Sequence, residues 1–412
     1  MLPEGQFIKS IALKNFLSYG SSTDDTELKS LNVLIGPNLS GKSNLIEALA
    51  ILHAAPKDLG EPIREGGGIG EWIWKGSKGA LNAEISVILD NPLGQHDLKW
   101  QQDLRYCLSF TMVAQRLEIV DESLENKEKT HPREEDVYFF YRFEGGRPTI
   151  NVRDISGGKQ EPFPDSITRR LKREDLDPQQ SVLSQRKDPD LYPELTYVAN
   201  QFSKIRLYRE WNLGRYTPPR LPQKADLPQD FLLEDASNLT LVLNDLVNRQ
   251  ETKRVLLERL RKFYFRIEDF TTKIQGGTVQ LFLHEEGLRE PIPATRLSDG
   301  TLRYLCLLAI LCHPDPPPVV CIEEPELSLH PDVLKSIAEL LVEASKRTQL
   351  IVTTHSDTLV SDLTEFPESV IVCERENTGT ELRRLDKDRL KKWLDKYRLG
   401  ELWRMGELGG NP

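Results

Sequence analysis

The chain has 412 residues, a formal net charge of −10, and is 38% hydrophobic and 29% charged, which is ordinary for a globular protein with room for roughly two or three domains or one two-lobed body. The acidic balance argues against indiscriminate nucleic-acid binding over the whole surface while leaving room for a local basic face. No stretch has the length of a bilayer span, and MLPEGQFIKSIALKNF lacks the apolar core and cleavage site of a signal peptide. Cys107, Cys306, Cys312, Cys321 and Cys373 form no C-x-x-C pair, so buried thiols in a reducing, cytoplasmic setting without a membrane partner are expected.

In chain order, Phe7 to Phe16 is a partly alternating strand and Leu31 to Ile35 an apolar one. Gly36-Pro-Asn-Leu-Ser-Gly-Lys-Ser43 follows, then Asn44 to Leu52 with helical apolar spacing. Strand, glycine loop and helix are the context in which G-x-x-x-x-G-K-[ST] becomes a phosphate cradle. Gly36 and Gly41 let backbone N–H groups turn toward a polyphosphate, with Pro37, Asn38, Ser40 and Asn44 completing the loop. Lys42 is expected on the β- and γ-phosphates and Ser43 on Mg²⁺. The alternative is an ordinary glycine turn between core elements. ATP or GTP is the expected ligand.

Arg64 beside Gly66-Gly-Gly68 is either a phosphate or nucleic-acid contact or part of a flexible loop. Trp72 and Trp74 alternate as in a strand and are expected in the core. Ala80 to Leu89, Cys107 to Val120 and Val137 to Phe143 read as strands, with Phe143-Glu-Gly-Gly-Arg-Pro as a hairpin. The charged stretch 121–136 reads as a solvated loop, and 157–192 as lacking long regular structure. Lys204, Arg206, Arg209, Arg215 and Arg220 interleave with Tyr208, Trp211 and Tyr216. That mixture suits phosphate attraction and base stacking, or a lobe interface where arginines bridge carboxylates. Residues 233–268 have helical periodicity with Asp235 or Ser237 as caps, and Thr278 to His284 reads as a strand. Near the end, Leu390, Trp393, Leu394 and Tyr397 share one helical face, expected against the core.

A second set of motifs lies in the last third. Leu297-Ser-Asp-Gly-Thr301 enters an apolar helix, 302–311, and Pro318-Val-Val-Cys-Ile-Glu-Glu324 is an apolar strand ending in two carboxylates. Leu350-Ile-Val-Thr-Thr-His-Ser356 is a strand ending in an imidazole. Phosphoryl transfer to water needs charge neutralisation and an oriented nucleophile. Glu323 is suited to a metal or its water, Glu324 to orienting the attacking water, and His355 to the γ-phosphate or that water.

With these residues in place the chain resembles ATP-binding-cassette ATPases of the SMC/RecF-like group, including the ATPase part of OLD-family nucleases and small RecF-like ATPases of bacterial repair and anti-phage operons. The resemblance covers roughly 1–90 and 275–380. It makes GPNLSGKS the Walker A loop, LSDGT the signature, VVCIEE Walker B, PELSLHP its extension and TTHS the histidine switch. It implies an α/β fold: a two-lobed ABC ATPase head, a P-loop NTPase with a mixed sheet, an antiparallel β subdomain and a helical insertion. The implied division is 1–156 for the first lobe, 157–270 for the insertion, 271–380 for the second lobe and 381–412 for a terminal helix and tail. It further implies ATP and Mg²⁺ as cofactors, with Mg²⁺ on Ser43 and Glu323, and Lys42, Glu324 and His355 as catalytic residues. Ser298, Asp299 and Gly300 are then expected to reach, in a homodimer around two ATP, the nucleotide held by the other protomer. Asp299, where the group more often has glycine, is expected to face solvent or the partner, and His330 a subunit contact. Long heptad arms and a C-x-x-C hook are absent, and too little chain follows His355 for the OLD nuclease domain. A head-only ATPase is therefore expected, with DNA or a nearby-encoded effector or nuclease as partner. The Q-loop glutamine and the adenine contacts do not stand out.

Overall fold

A computed structural model describes residues 6–21, 24–76, 82–94, 102–129, 136–144, 146–153 and 166–410. Its centre is a six-stranded sheet in the order Arg206–Tyr208, Val319–Glu323, Gln349–Thr353, Leu31–Ile35, Val370–Glu376, Gly379–Arg384. Neighbours among the first five strands are parallel, and the last pairs antiparallel. Leu31–Ile35, Gln349–Thr353 and all of Val319–Glu323 except Glu323 are buried, which accounts for their near-continuous apolar sequence. Helices Lys42–Ala54 and Pro331–Ala344 follow two of the parallel strands.

An eight-stranded antiparallel sheet runs Thr26–Glu27, Ile8–Lys14, Ala83–Leu89, Leu104–Val113, Arg116–Asn126, Phe139–Glu144, Arg147–Arg153, Ser166–Arg170. It shares one hydrophobic cluster with the inner face of Lys42–Ala54 and with helix Pro193–Ser203. Phe202 on that helix packs edge-on to Phe7 and Tyr106. Gln349, fully buried, ties the two sheets together. Its side chain accepts from the Ile8 N–H at 2.8 Å and donates to the Ile8 carbonyl at 2.7 Å. A four-stranded sheet of Gln223–Lys224, Thr278–Glu285, Ile267–Gln275 and Ile292–Pro293 packs with the helical segments Leu239–Asn248, Gln250–Phe263 and Asp299–Leu311 in a second cluster.

The fold class is the expected one, while several local expectations change. Residues 121–126 continue strand Arg116–Asn126: Leu117 and Ile119 face inward, a register shift between Ile119 and Asp121 changes the phase, and Glu122, Leu124 and Asn126 face inward after it; the shift and the polar inward residues hide the strand in sequence. Arg206–Tyr208 joins the central sheet beside Val319–Glu323, so the 157–270 stretch is not an insertion throughout. Trp72 ends the short helix Ile69–Trp72 and is buried beside Phe16, whereas Trp74 is half-buried. Asn238, not Asp235 or Ser237, precedes helix Leu239–Asn248. The terminal stretch breaks into Lys387–Leu394 and Leu399–Arg404. Leu390 and Leu394 lean on the core while Trp393 and Tyr397 are exposed, correcting the expectation of a fully packed stripe. No helix among the described residues is long and apolar enough to cross a membrane.

Candidate functional site: a phosphate loop completed by two strand ends

In open α/β sheets, chemistry gathers where the parallel strands end. Register brings Leu34, Thr353 and Glu323 into one row across three neighbouring strands. The loop 36–43, the Glu323–Glu324 pair and His355 therefore leave the sheet along one edge.

The loop is shaped by close contacts. Gly41 has φ 101°, and a Cβ there would collide with the hydroxyls of Thr380 and Ser18, so glycine is required. Thr380 Oγ1 donates to the Ser40 carbonyl at 2.9 Å and lies 2.7 Å from Ser18 Oγ. Asn44 Nδ2 donates to Ser18 Oγ at 2.7 Å. The Ser40 hydroxyl is buried with no hydrogen-bond partner among the described residues. Lys42 Nζ donates to the carbonyls of Gly36 at 2.8 Å and Pro37 at 2.9 Å. Burial lowers the Lys42 pKa, opposed by Cys373, Glu324 and Glu323. Pro37 is half-buried, and Asn38 and Leu39 are exposed at the loop crest.

Ser43 Oγ donates to Glu323 Oε2 at 3.4 Å. Adjacent ligands of an octahedral Mg²⁺ lie about 3 Å apart, so this pair of hard oxygens suits that ion. Burial raises the Glu323 pKa, opposed by the nearby Arg209 cation. Glu324 has φ 46°, rare for a non-glycine residue and a cost of about 1–3 kcal/mol that tends to persist at functional sites. Its N–H donates to the Thr353 carbonyl at 3.0 Å, and its Oε1 lies 3.6 Å from His355 Nε2. Burial and then Lys42 lower the His355 pKa, against the pull of Glu324 and Glu326, leaving a neutral ring at pH 7. A neutral ring keeps one nitrogen as donor and one as acceptor.

Glu326 escaped the sequence reading although it sits inside PELSLHP. Its Oε1 accepts from Thr354 Oγ1 at 2.6 Å and from the His355 N–H at 2.8 Å. Thr380 and Ser18 carried no signal at all, because their role depends on packing against Gly41. Beside the loop, Leu17, Ser18, Asn44, Ile73, Trp74, Lys75 and Arg375 line a cleft of about 340 Å³.

Ser298 caps helix Asp299–Leu311, its Oγ accepting from the Thr301 N–H at 3.1 Å. Gly300 lies against the Ser328 carbonyl, where a Cβ would stand at 2.7 Å. Asp299 is exposed but engaged: Arg220, 5% exposed, pairs with it and also donates to the carbonyls of Leu297 and Leu213. Arg209 forms a two-pronged pair with Glu47, at 2.8 and 3.1 Å. These two arginines thus bridge carboxylates and backbone within the chain. Arg64 pairs with Asp58, and Arg206 donates to the Ile205 carbonyl at 3.3 Å. Lys204 and Arg215 are exposed. His330 caps helix Pro331–Ala344 and is exposed.

A family model described as "AAA domain, putative AbiEii toxin, Type IV TA system" matches residues 31–361. A chromosome partition protein Smc from Mycolicibacterium paratuberculosis is 33% identical over 88 residues, 21% of this chain and 7% of that protein. The chain therefore matches only a small part of that relative. An Smc head bound to the C-terminal winged-helix domain of ScpA superposes with a TM-score of 0.55 at 15% identity, covering 93% of this chain and 99% of that one. An Smc head with an extended coiled coil from Pyrococcus furiosus, bound to the C-terminal domain of ScpA, gives 0.53 at 14% identity, covering 95% and 99%.

Proposed function

This chain belongs to the AAA-domain family just described and has the fold of an SMC/RecF-like ATPase head, and from that premise we propose that it binds ATP with Mg²⁺, hydrolyses it, and dimerises around two nucleotides. The observation that carries the reading is the single sheet edge shared by Lys42, the Ser43–Glu323 pair and the Glu324–His355 pair. Ser43 and Glu323 would hold Mg²⁺, which supplies neutralisation of phosphate charge. Lys42 binds the terminal phosphates, Glu324 orients the attacking water and accepts its proton, and His355 holds that water or the γ-phosphate. Trp74, half-buried in the cleft beside the loop, offers the nucleobase a flat surface. Ser298 and the N-terminus of its helix would meet the phosphate held by a second protomer. Asp299 is turned to Arg220 and so does not oppose that phosphate. The test is ATP turnover by the purified chain: Lys42→Ala should lower it at least about 100-fold, and unchanged turnover would refute the assignment.

We place this ATPase on DNA, in double-strand break repair or anti-phage defence. The Smc relatives and the toxin–antitoxin wording of the family support that setting. Lys204 and Arg215 remain exposed for phosphate contact. A second reading is an ATP-gated scaffold for a protein effector. It is favoured by the internal partners of Arg209 and Arg220, and by the protein partner of both similar heads. Lys204→Glu with Arg215→Glu decides between them. Loss of DNA-stimulated turnover supports the DNA reading; DNA-independent turnover with retained effector binding supports the scaffold.

A further inference from the structure

Next to the Glu324–His355 pair lie a buried cation and a half-buried carboxylate that the nucleotide motifs do not account for. Arg303 is on helix Asp299–Leu311, five residues after Ser298, and is 7% exposed. Its guanidinium stands 5.2 Å from the centre of the Trp211 ring, and Nη1 donates to the Glu324 carbonyl at 3.4 Å. Arg303 Nε is buried with no hydrogen-bond partner among the described residues. Glu326 spends Oε1 on Thr354 and His355, while its Oε2 is buried with no hydrogen-bond partner among the described residues. Burial lowers the Arg303 pKa, opposed by Cys306, Glu326, Glu324 and Asp299. Arg303 thus reaches the Glu324 backbone directly, and Glu326 reaches the next strand end through Thr354 and His355, so the two tether neighbouring parts of the hydrolytic pair.

The consequence follows from where each partner is anchored. Ser298 and Arg303 share one rigid helix, separated by about 7–8 Å of helix rise. A shift of the Ser298 end moves Arg303 against the carbonyl of Glu324. Glu326 in turn fixes the backbone N–H of His355 and the hydroxyl of Thr354. The strained φ of Glu324 leaves its backbone dependent on these tethers. We propose that Arg303 and Glu326 are positioning residues, which couple the placement of the Ser298 helix to the alignment of Glu324 and His355. This rests on the ATPase reading above and adds a route by which contact at Ser298 is felt by the hydrolytic pair of the same chain.

The test is a double-mutant cycle on the full chain, measuring ATP kcat and KM, melting temperature, and affinity for a fluorescent ATP analogue. Arg303→Gln and Glu326→Gln should each lower kcat about tenfold while KM and analogue affinity stay within about twofold. Arg303→Lys should retain more kcat than Arg303→Gln because it keeps the charge. The double variant should lose about as much as either single one, since the pair acts as a unit. A double loss equal to the product of the single losses overturns the coupling, as does a fall in analogue affinity parallel to kcat. If the unaltered chain turns over no ATP, the proposed function falls and this inference with it; turnover with multiplicative losses sinks the coupling alone.

Discussion

Two carboxylates illustrate how side-chain surroundings decide a role. Glu324 stands at a strand end, beside a neutral His355 and within reach of the phosphate loop. Replacing it with glutamine removes the proposed proton acceptor yet preserves shape, so on that reading turnover should fall about 100–1,000-fold with ATP binding retained, read by single-turnover hydrolysis against analogue binding. Glu122 lies in the core of the antiparallel sheet, where it accepts from Tyr106 OH and the Val182 N–H, each at 2.8 Å, and from Ser181. Burial outweighs those donors and raises its pKa from 4.5 to about 7. The folded chain therefore favours the protonated form more than the unfolded chain does. That stabilisation is fully present below pH 4.5 and is lost as pH rises through 7. Between about pH 5 and 8 the protein should lose about 2–3 kcal/mol relative to Glu122→Gln. Urea denaturation of both across that range checks it, and parallel pH profiles would contradict it.

Elements were legible in the sequence where period and punctuation agreed. Gly36 to Ser43 is flanked by a continuous apolar run and a helical one, and the fold keeps all three. Phe143 to Arg147 carried its glycines between apolar strands, and a hairpin joins them. Legibility failed where tertiary pairing overrode local composition. Residues 121–126 sit on a strand whose inward positions include the buried Glu122 and Asn126 beside Leu124, so charge density suggested a loop where the ladder dictates a strand. Lys387–Leu394 ends where Asp395 to Arg398 turn away, so a stripe drawn across both helices splits. The Arg209 and Arg220 partners, Glu47 and Asp299, are 162 and 79 residues away, beyond any local pattern. Helix Pro193–Ser203 shows what such packing contributes. Phe202→Ala removes a buried ring held edge-on by Phe7 and Tyr106 and should cost about 3–5 kcal/mol, measured by urea denaturation. A loss below about 1 kcal/mol would mean the site collapses around the smaller side chain.

For the whole molecule, the site is assembled from distant parts of the chain. Leu31–Ile35 and Val319–Glu323 flank Gln349–Thr353, so the 36–43 loop and the strand ends that lead to Glu324 and His355 depend on one sheet forming. Gln349 fixes that sheet to Ile8. Ser298 opens its helix with a hydroxyl that already caps the first turn, and the proposed second nucleotide would be met from there. Two nucleotides, each gaining two or three charge-assisted bonds from the opposite subunit at about 1.5–3 kcal/mol apiece, could contribute on the order of 10 kcal/mol before ordering costs. Association would then depend on the γ-phosphate, and hydrolysis would release it. The decisive measurement is sedimentation velocity of the Glu324→Gln chain with Mg²⁺ and ATP, with Mg²⁺ and ADP, and with Ser298→Arg added. The expected result is a dimer with ATP alone, and a monomer with ADP or with the serine replaced. An identical mass under all three conditions, with ATP shown to be bound, would contradict the composite site.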